Sequence, residues 1–156
     1  MNLLRAPLAY DVGGTLQPVT IGYRIYKTLG LSLVVWDGDI TGDEAEDHVR
    51  ALRTNPDWPP GPLHLVDTTT VTSAPAIANT KLVEMLNEIA EARPIRFAVI
   101  ASGALPEATR FQTEATALGV SQVIVFNDVA GACSWLGIDL AATRATLDDL
   151  RAELRK

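Results

Sequence analysis

Two short stretches of the chain consist almost entirely of apolar residues, and each is followed by polar residues and then by a segment with helical spacing. The stretches are LHLV, residues 63–66, and IRFAVIA, residues 95–101. A strand that is apolar on both faces is typical of a parallel sheet covered by helices on both sides. Parallel strands also need a crossover, usually a right-handed connection through a helix. The two stretches therefore predict an α/β fold.

Turn residues and helix caps predict the elements that precede the first apolar stretch. A β-hairpin is predicted with arms at residues 23–28 and 31–36, because a turn containing Gly30 separates two apolar runs. Thr41 and Glu44 have the spacing of a capping box, which predicts a helix that begins there and ends before Pro56.

Similar signals place the elements that follow. Ser73 is expected to cap the helix after the first apolar stretch. A further helix is predicted over residues 106–118, and a strand over residues 122–126. Asp128 and Asp139 are expected to open a short helix and a last helix, respectively. The order is β-β-α-β-α-β-α with a tail helix, which predicts a mixed sheet with an N-terminal hairpin and βαβαβα crossovers.

We expect three parts along the chain, namely an arm over residues 1–22, a domain over residues 23–138 and a C-terminal helix over residues 139–156. The arm is either an extra strand or a loose segment. The tail helix has leucines at heptad-like spacing, at Leu140, Leu147, Leu150 and Leu154. It either covers the sheet of its own chain or pairs with a second chain in a homodimer, and the sequence leaves both alternatives open.

Composition limits the partners and the compartment. The 156 residues carry a net charge of -6 and no basic stripe, which excludes nucleic acid as an expected partner. No apolar run approaches the ~20 residues that span a bilayer, and the first residues lack the features of a signal peptide. The single cysteine, Cys133, excludes an intramolecular disulfide and favours the cytoplasm.

The stretch DVGGTL, which begins at Asp11, resembles the D-x-D-G-T motif of haloacid-dehalogenase phosphatases. In that family the first Asp is the nucleophile and the second is the acid/base, but here the second position is Gly13. The family also needs a Lys after its second motif, and none occurs between Lys81 and Lys156. The same stretch also resembles the phosphate loop of sugar kinases. Those enzymes need two large lobes around a cleft, and 156 residues are too few to form them. We therefore interpret the stretch as a Gly-Gly turn and keep a phosphatase that uses Asp11 as an alternative.

The other reactive residues do not form a catalytic or metal-binding pattern. His48 is expected on the polar face of its helix and His64 in a strand, and neither belongs to an H-x-H or H-E-x-x-H motif. Cys133 lies in an apolar helix, where a buried and inert thiol is typical. Asp37 and Asp39 are interpreted as turn-forming residues. We predict no catalytic residue, no metal and no cofactor.

At LVDTTTVTSAP the chain resembles STAS domains of the anti-anti-sigma type, which have the SpoIIAA-like fold. In those domains a buried strand ends in D-L-S-G-V-x-x-x-D-S-S-G and a helix follows at once. Val66 and Asp67 match the strand end, Val71 the apolar loop residue and Ser73 the helix start. The hairpin that ends in WDGDIT and the final VIVFNDVAGACSWLG also resemble a group of small bacterial STAS-like proteins of unassigned function. The resemblance covers about residues 23–138.

The resemblance implies a binding or regulatory role, with one departure from the family. Anti-anti-sigma proteins are phosphorylated at a serine in an Asp-Ser pair, whereas this chain has VTSAP. A phosphorylation switch at Thr72 or Ser73 is therefore a candidate that the motif itself does not supply. The fold also resembles that of CRAL-TRIO lipid carriers, which adds a lipid-like molecule to the candidate ligands.

We therefore predict a non-enzymatic binding or regulatory module that binds a partner protein or a small anionic or lipid-like ligand. Its site is expected outside the carboxyl ends of the strands, where helix N-termini converge. The candidate residues for ligand binding or phosphorylation are Asp67, Thr68, Thr69, Thr72, Ser73, Ser102, Gly103, Asn127 and Asp128. This set contains no strong base and no cation, which favours binding over chemistry. The alternatives are the phosphatase and a structural protein that dimerises through its C-terminal helix.

Overall fold

A computed structural model describes residues 3–5, 9–12, 15–18, 20–101, 106–117 and 122–156. The strands in these residues are β1 (Leu3–Arg5), β2 (Ala9–Val12), β3 (Thr15–Pro18), β4 (Ile21–Tyr26), β5 (Leu31–Asp39), β6 (Leu63–Ser73), β7 (Arg96–Ile100) and β8 (Val123–Phe126). The helices are α1 (Gly42–Thr54), α2 (Ala76–Ala92), α3 (Pro106–Ala117), α4 (Val129–Leu136) and α5 (Leu140–Leu154).

Six of the described strands form one mixed sheet in the order β1-β4-β5-β6-β7-β8. β1 and β5 each pair with β4 in the antiparallel sense. β5, β6, β7 and β8 are parallel to one another. The α/β class, the N-terminal hairpin and the parallel crossovers predicted from the sequence are therefore confirmed.

The apolar character of β6 and β7 follows from helices on both faces of the sheet. On one face Val34 and Val66 pack in a buried cluster with residues of α1 and α2. On the other face Leu33 and Leu65 pack in a second cluster with residues of α4 and α5. Because successive strand residues point to opposite faces, a strand segment that is covered on both sides buries both sets of side chains and is therefore largely apolar.

The hairpin turn between β4 and β5 contacts the loop that precedes β6. Gly30 has a φ of 60°, a left-handed conformation that favours glycine. A Cβ atom added to Gly61 would lie 2.5 Å from the Cα atom of Gly30. The two backbones therefore approach each other more closely than any side chain at Gly61 would allow.

The N-terminal arm contains strands. β1 extends the main sheet by pairing with β4, whereas β2 and β3 form a separate two-stranded antiparallel sheet. Asp11 pairs with Leu16, and Val12 pairs with Thr15 in this ladder. The predicted Gly-Gly turn falls on residues 13–14, which lie outside the described residues.

β6 is longer than the sequence predicts, and this corrects the role of Ser73. The strand continues through the polar run because β5 also continues, and Asp39 pairs with Ser73 at the end of the ladder. Pro75 takes the N-cap position of α2, with no side-chain hydrogen bond to the helix. The expectation that Ser73 caps this helix is therefore wrong.

Two further expectations are corrected. Asp37 and Asp39 lie in β5 rather than in a turn, and Gly38 between them has a φ of 79° where the register with β6 shifts. His48 is buried and not on the polar face of α1. Its ring lies 5.8 Å from that of Tyr23, because this side of α1 packs on β4.

The tail helix covers the sheet of its own chain, the first of the two alternatives above. Leu147, Leu150 and Leu154 are buried in the cluster that also contains Leu33 and Val35 of β5.

The helix caps predicted at Thr41 and at Asp139 are confirmed. Thr41 and Glu44 form a capping box, and Asp139 caps α5 by accepting a hydrogen bond from the Ala142 backbone.

Candidate functional site

Asp67 forms the centre of a polar cluster at the carboxyl edge of the parallel strands. It lies in β6 beside Ile100, the last residue of β7, and is only 2% exposed. One carboxylate oxygen accepts hydrogen bonds from the Thr69 backbone N–H at 2.9 Å and from the Thr69 hydroxyl at 2.7 Å. The other oxygen accepts a hydrogen bond from Nη2 of Arg151 at 2.6 Å.

Arg151 lies on α5 and connects the helix to this edge. Besides Asp67, its guanidinium reaches the Thr70 hydroxyl at 3.4 Å and Asp148 of its own helix at 3.5 Å. It follows Leu150, whose side chain is buried between α5 and the sheet. The packing of the leucines therefore brings the guanidinium to the carboxylate.

A second ion pair lies beside the first. Asp37 of β5 accepts hydrogen bonds from Nε and Nη2 of Arg155 at 3.0 and 2.8 Å, a bidentate arrangement. The Arg155 guanidinium holds the pKa of the Asp37 carboxyl below its ordinary value of 3.8, although partial burial acts in the opposite direction. Arg155 is the C-cap residue of α5 and follows Arg151 by four positions, about one helical turn, so the two guanidinium groups lie beside each other at this edge.

The remaining polar residues of β6 do not join the Asp67 cluster. The Thr68 hydroxyl donates to the Ile100 carbonyl of β7 at 2.8 Å. Thr72 and Ser73 are exposed. The Ser73 hydroxyl donates a hydrogen bond to the Asp39 carboxylate.

The candidates that follow β8 have a local role. Asn127 and Asp128 are exposed, and Asp128 caps α4 by accepting a hydrogen bond from the Gly131 backbone at 2.7 Å. This cap is the role predicted from the sequence. Ser102 and Gly103 lie outside the described residues.

The sequence prediction missed the positive charges at this edge. The set proposed from the sequence contains no cation, but the structure places Arg151 against Asp67 of that set and Arg155 against the neighbouring Asp37. The available signal was a pair of arginines four positions apart beside the buried leucines of the tail helix. It was overlooked because both residues lie more than eighty positions from the carboxylates in sequence, with separations of 84 and 118.

A third ion pair attaches α5 to the sheet farther from this edge. Nη2 of Arg24, on β4, lies 2.6 Å from the Glu153 carboxylate, and the Arg24 side chain is 3% exposed. The Tyr26 hydroxyl is also 2.8 Å from the hydroxyl of Thr146. Together with the pairs of Asp37 and Asp67, these contacts fix α5 on the sheet.

The buried histidines and the cysteine lie apart from the carboxylates. Burial lowers the pKa of His48 to about 4 and that of His64 to about 4 as well. Nδ1 of His64 lies 2.8 Å from the buried Ser32 hydroxyl. Cys133 is buried, as expected, and its burial raises the pKa of its thiol. Within the described part of the chain, no group of three or more metal-ligating side chains converges.

An open groove lies away from the carboxyl edge, between α2 and α3. It has a volume of about 620 Å³. The side chains that line it are Thr80, Val83, Glu84, Asn87, Glu88, Glu114 and Ala117. Among the residues proposed from the sequence, those that the structure describes do not line this groove.

Comparison with known proteins identifies a structural neighbour. The structure of an uncharacterised protein of the DUF3478 family from Shewanella loihica PV-4, described as having a SpoIIAA-like fold, shares 14% identity with this chain at a TM-score of 0.49. The similarity covers 87% of this chain and 96% of that one. The fold named for that protein is the one that the sequence resemblance implies. At this level the likeness transfers no ligand, partner or activity.

No protein-family model matches the chain, and no curated protein matches it. Among the helices that the structure describes, none is both long enough and apolar enough to span a membrane.

Proposed function

We propose that this chain is a non-enzymatic binding or regulatory module of the STAS type, which binds a partner protein or a small anionic or lipid-like molecule at the carboxyl edge of β5 and β6. The observation that carries the proposal is that two carboxylates of this edge are bound by arginines, Asp67 by Arg151 of α5 and Asp37 by Arg155, the residue that follows α5. The pair with Arg155 lowers the pKa of Asp37, and a carboxylate with a lowered pKa is a weaker general base.

The same pairs support a role in recognition. They hold the ends of β5 and β6 in one conformation, and a rigid surface loses less entropy on binding than a mobile one. The Arg155 side chain remains 57% exposed, so its guanidinium can also meet an anionic group from solvent. Thr72 adds an exposed hydroxyl at the same end of β6.

Of the two exposed hydroxyls, we propose Thr72 rather than Ser73 as the residue that a kinase would modify. The Ser73 hydroxyl already donates to Asp39, so a phosphate group there would face a carboxylate. A phosphate group and a carboxylate at hydrogen-bonding distance repel each other, because both are negatively charged.

A thermal-shift titration with inorganic phosphate and with oleate tests the small-ligand form of the proposal. A ligand that binds the folded state raises the melting temperature by mass action. We expect a rise that increases with concentration in the wild type and is reduced in Arg155→Gln. Arg53→Gln is the matched control, because Arg53 is also exposed and also pairs with a carboxylate, that of Glu88.

Two outcomes contradict this form. An equal rise in Arg155→Gln and in the wild type means that the ligand binds elsewhere. No rise with either probe means that the small-ligand form is wrong and that only a partner protein is left.

A further inference from the structure

Among the strands that the structure describes, β8 is an open edge of the main sheet. The strand order ends at β8, which pairs with β7 on one side. An edge strand presents unpaired backbone N–H and C=O groups to which another strand can add, and lysine or proline residues usually protect it. The sequence of β8, VIVF, contains no charged residue and no proline. This edge therefore lacks the side chains that normally prevent strand addition.

The outward-facing backbone groups of β8 follow from its bonds to β7. The carbonyls of Gln122 and Phe126 accept hydrogen bonds from backbone N–H groups on the β7 side, at 2.8 and 3.0 Å. Because the peptide groups of a strand point alternately to its two sides, those of Val123 and Val125 point away from β7. Nε2 of Gln112, on α3, lies 3.5 Å from the Val123 carbonyl oxygen. This distance exceeds that of a typical hydrogen bond, so the carbonyl can still accept from a closer donor.

The side chain in the middle of β8 is the one that a further strand would cover. Val125 packs against the core cluster that contains residues of α1 and α2, and Phe126 packs against the cluster that contains residues of α4 and α5. Ile124 is half-buried and, within the described part of the chain, belongs to neither cluster. An apolar side chain that keeps exposed area gains free energy when a partner covers it.

This arrangement matches a second copy of the same strand. In an antiparallel pair of two β8 strands with a two-fold axis at Ile124, Val123 of each copy lies opposite Val125 of the other. These are the residues whose backbone groups face outward, so each such pair exchanges both of its hydrogen bonds. Ile124 then meets the same residue of the second copy in a non-hydrogen-bonded pair, where opposite side chains lie closest.

The charge of the chain also favours contact between copies at this edge. The net charge is -6, so most of the surface of one copy repels that of another. The segment 122–127 carries no charged residue. Asp128 follows it, and the antiparallel pairing places the two copies of Asp128 at opposite ends of the strand pair. Two copies can therefore approach along β8 without bringing like charges together.

We propose that β8 pairs with β8 of a second copy of this chain, in the antiparallel sense and about a two-fold axis at Ile124. The two six-stranded sheets then form one continuous sheet. The proposal is independent of any ligand at the carboxyl edge, and in it α5 stays on the sheet of its own chain.

Two full-length variants, Ile124→Lys and Ile124→Glu, test the pairing by light scattering after size exclusion. We expect the wild type at twice the mass of one 16.8 kDa chain, and each variant alone at the mass of one chain. The axis brings the introduced charge opposite its own copy, and like charges directly opposite each other destabilise a strand pair. An equimolar mixture should recover the doubled mass, because the introduced lysine then faces the introduced glutamate.

Leu29→Lys is the matched control. Leu29 is an apolar side chain with 52% exposure that lies in the turn between β4 and β5, away from β8. This variant should keep the doubled mass. A wild type that has the mass of one chain at every concentration tested overturns the proposal. A dimer that persists in Ile124→Lys, or a mixture of the two variants that remains monomeric, overturns it as well.

Val125→Pro tests the backbone bonds without a new charge. Proline removes the outward N–H of this residue but none of the hydrogen bonds to β7, since an edge strand tolerates proline where its N–H faces solvent. We expect a monomer with the far-ultraviolet circular dichroism of the wild type. A dimer formed by this folded variant would overturn the proposed pairing.

Discussion

The Asp67 carboxylate and the Arg151 guanidinium form an ion pair of 2.6 Å between residues 84 positions apart in sequence. Asp67 is 2% exposed, whereas the Arg151 side chain is 16% exposed. Removing Arg151 would therefore leave a negative charge enclosed in protein without its cation.

We expect Arg151→Ala to lower the free energy of unfolding by about 3 kcal/mol, because an unpaired buried charge is strongly destabilising. Urea unfolding measures this change. Arg50→Ala is the control, since Arg50 forms its ion pair with Asp47 on the exposed face of α1. Its loss should be about 0.5 kcal/mol or less. Equal losses in the two variants would show that the pair of Asp67 is not buried in solution.

The stability of the fold should rise with pH between about 4 and 6.5. The folded-state pKa of His48 is about 4, below its ordinary value of 6.5, and that of His64 is also about 4. Within this window the unfolded chain binds more protons than the folded chain, so acid favours unfolding. Each histidine should contribute about 3 kcal/mol to the free energy of unfolding. This contribution is present above pH 6.5 and is lost near pH 4.

Unfolding free energies at pH 4.5 and pH 7 test this prediction. His48→Leu should lose roughly half of the difference, because one of the two titrating groups is gone. Asp37 does not contribute in this window, since its pKa is held below 3.8 and its contribution is lost only in stronger acid. A pH difference that His48→Leu leaves unchanged would mean that His48 is hydrated in the folded state.

The ion pair at the end of β5 should be visible in the titration of Asp37. In Arg155→Gln we expect the pKa of Asp37 to rise, because the hydrogen bonds from Arg155 are the largest cause of its lowering. A carbon-detected NMR titration of the aspartate carboxyl groups measures the change. Arg53→Gln should leave the pKa of Asp37 as it is. A pKa that does not respond to Arg155→Gln would argue against the bidentate pair.

Gly61→Ala should destabilise the protein by about 2 kcal/mol, measured by urea unfolding. Its new methyl group would meet the Cα and carbonyl oxygen of Gly30 at 2.5 and 2.9 Å, and both atoms belong to backbone. Gly22→Ala is the comparison, since its methyl group would meet only leucine side-chain atoms, the nearest being Cδ2 of Leu154 at 3.4 Å. A loss in Gly22→Ala as large as in Gly61→Ala would contradict the close approach of the two backbones.

The wild type and Asp11→Asn should both be inactive towards p-nitrophenyl phosphate in the presence of Mg²⁺. Asp11 lies in the antiparallel pair of β2 and β3, whereas the phosphatase motif that it resembles ends a strand and needs a second Asp two positions later. Position 13 is glycine. Turnover that disappears in Asp11→Asn would establish the phosphatase alternative and overturn the proposed binding function.

The sequence alone determined the elements whose signals are local. The apolar stretches of β6 and β7 predicted the parallel sheet. The caps at Thr41, Asp128 and Asp139 predicted helix starts that the structure confirms. Each of these signals depends on neighbours within about four positions or on the alternation of one strand, so a single sequence contains it in full.

Only the tertiary structure decided the length of β6, the burial of His48 and the cations at the carboxyl edge. β6 continues to Ser73 because β5 offers a ladder beside it, and that ladder outweighs the preference of Ser73 for a helix cap. Asp67 meets Arg151 because buried leucines dock α5 on the sheet. These outcomes depend on partners far apart in sequence, and chain folding alone brings such partners together.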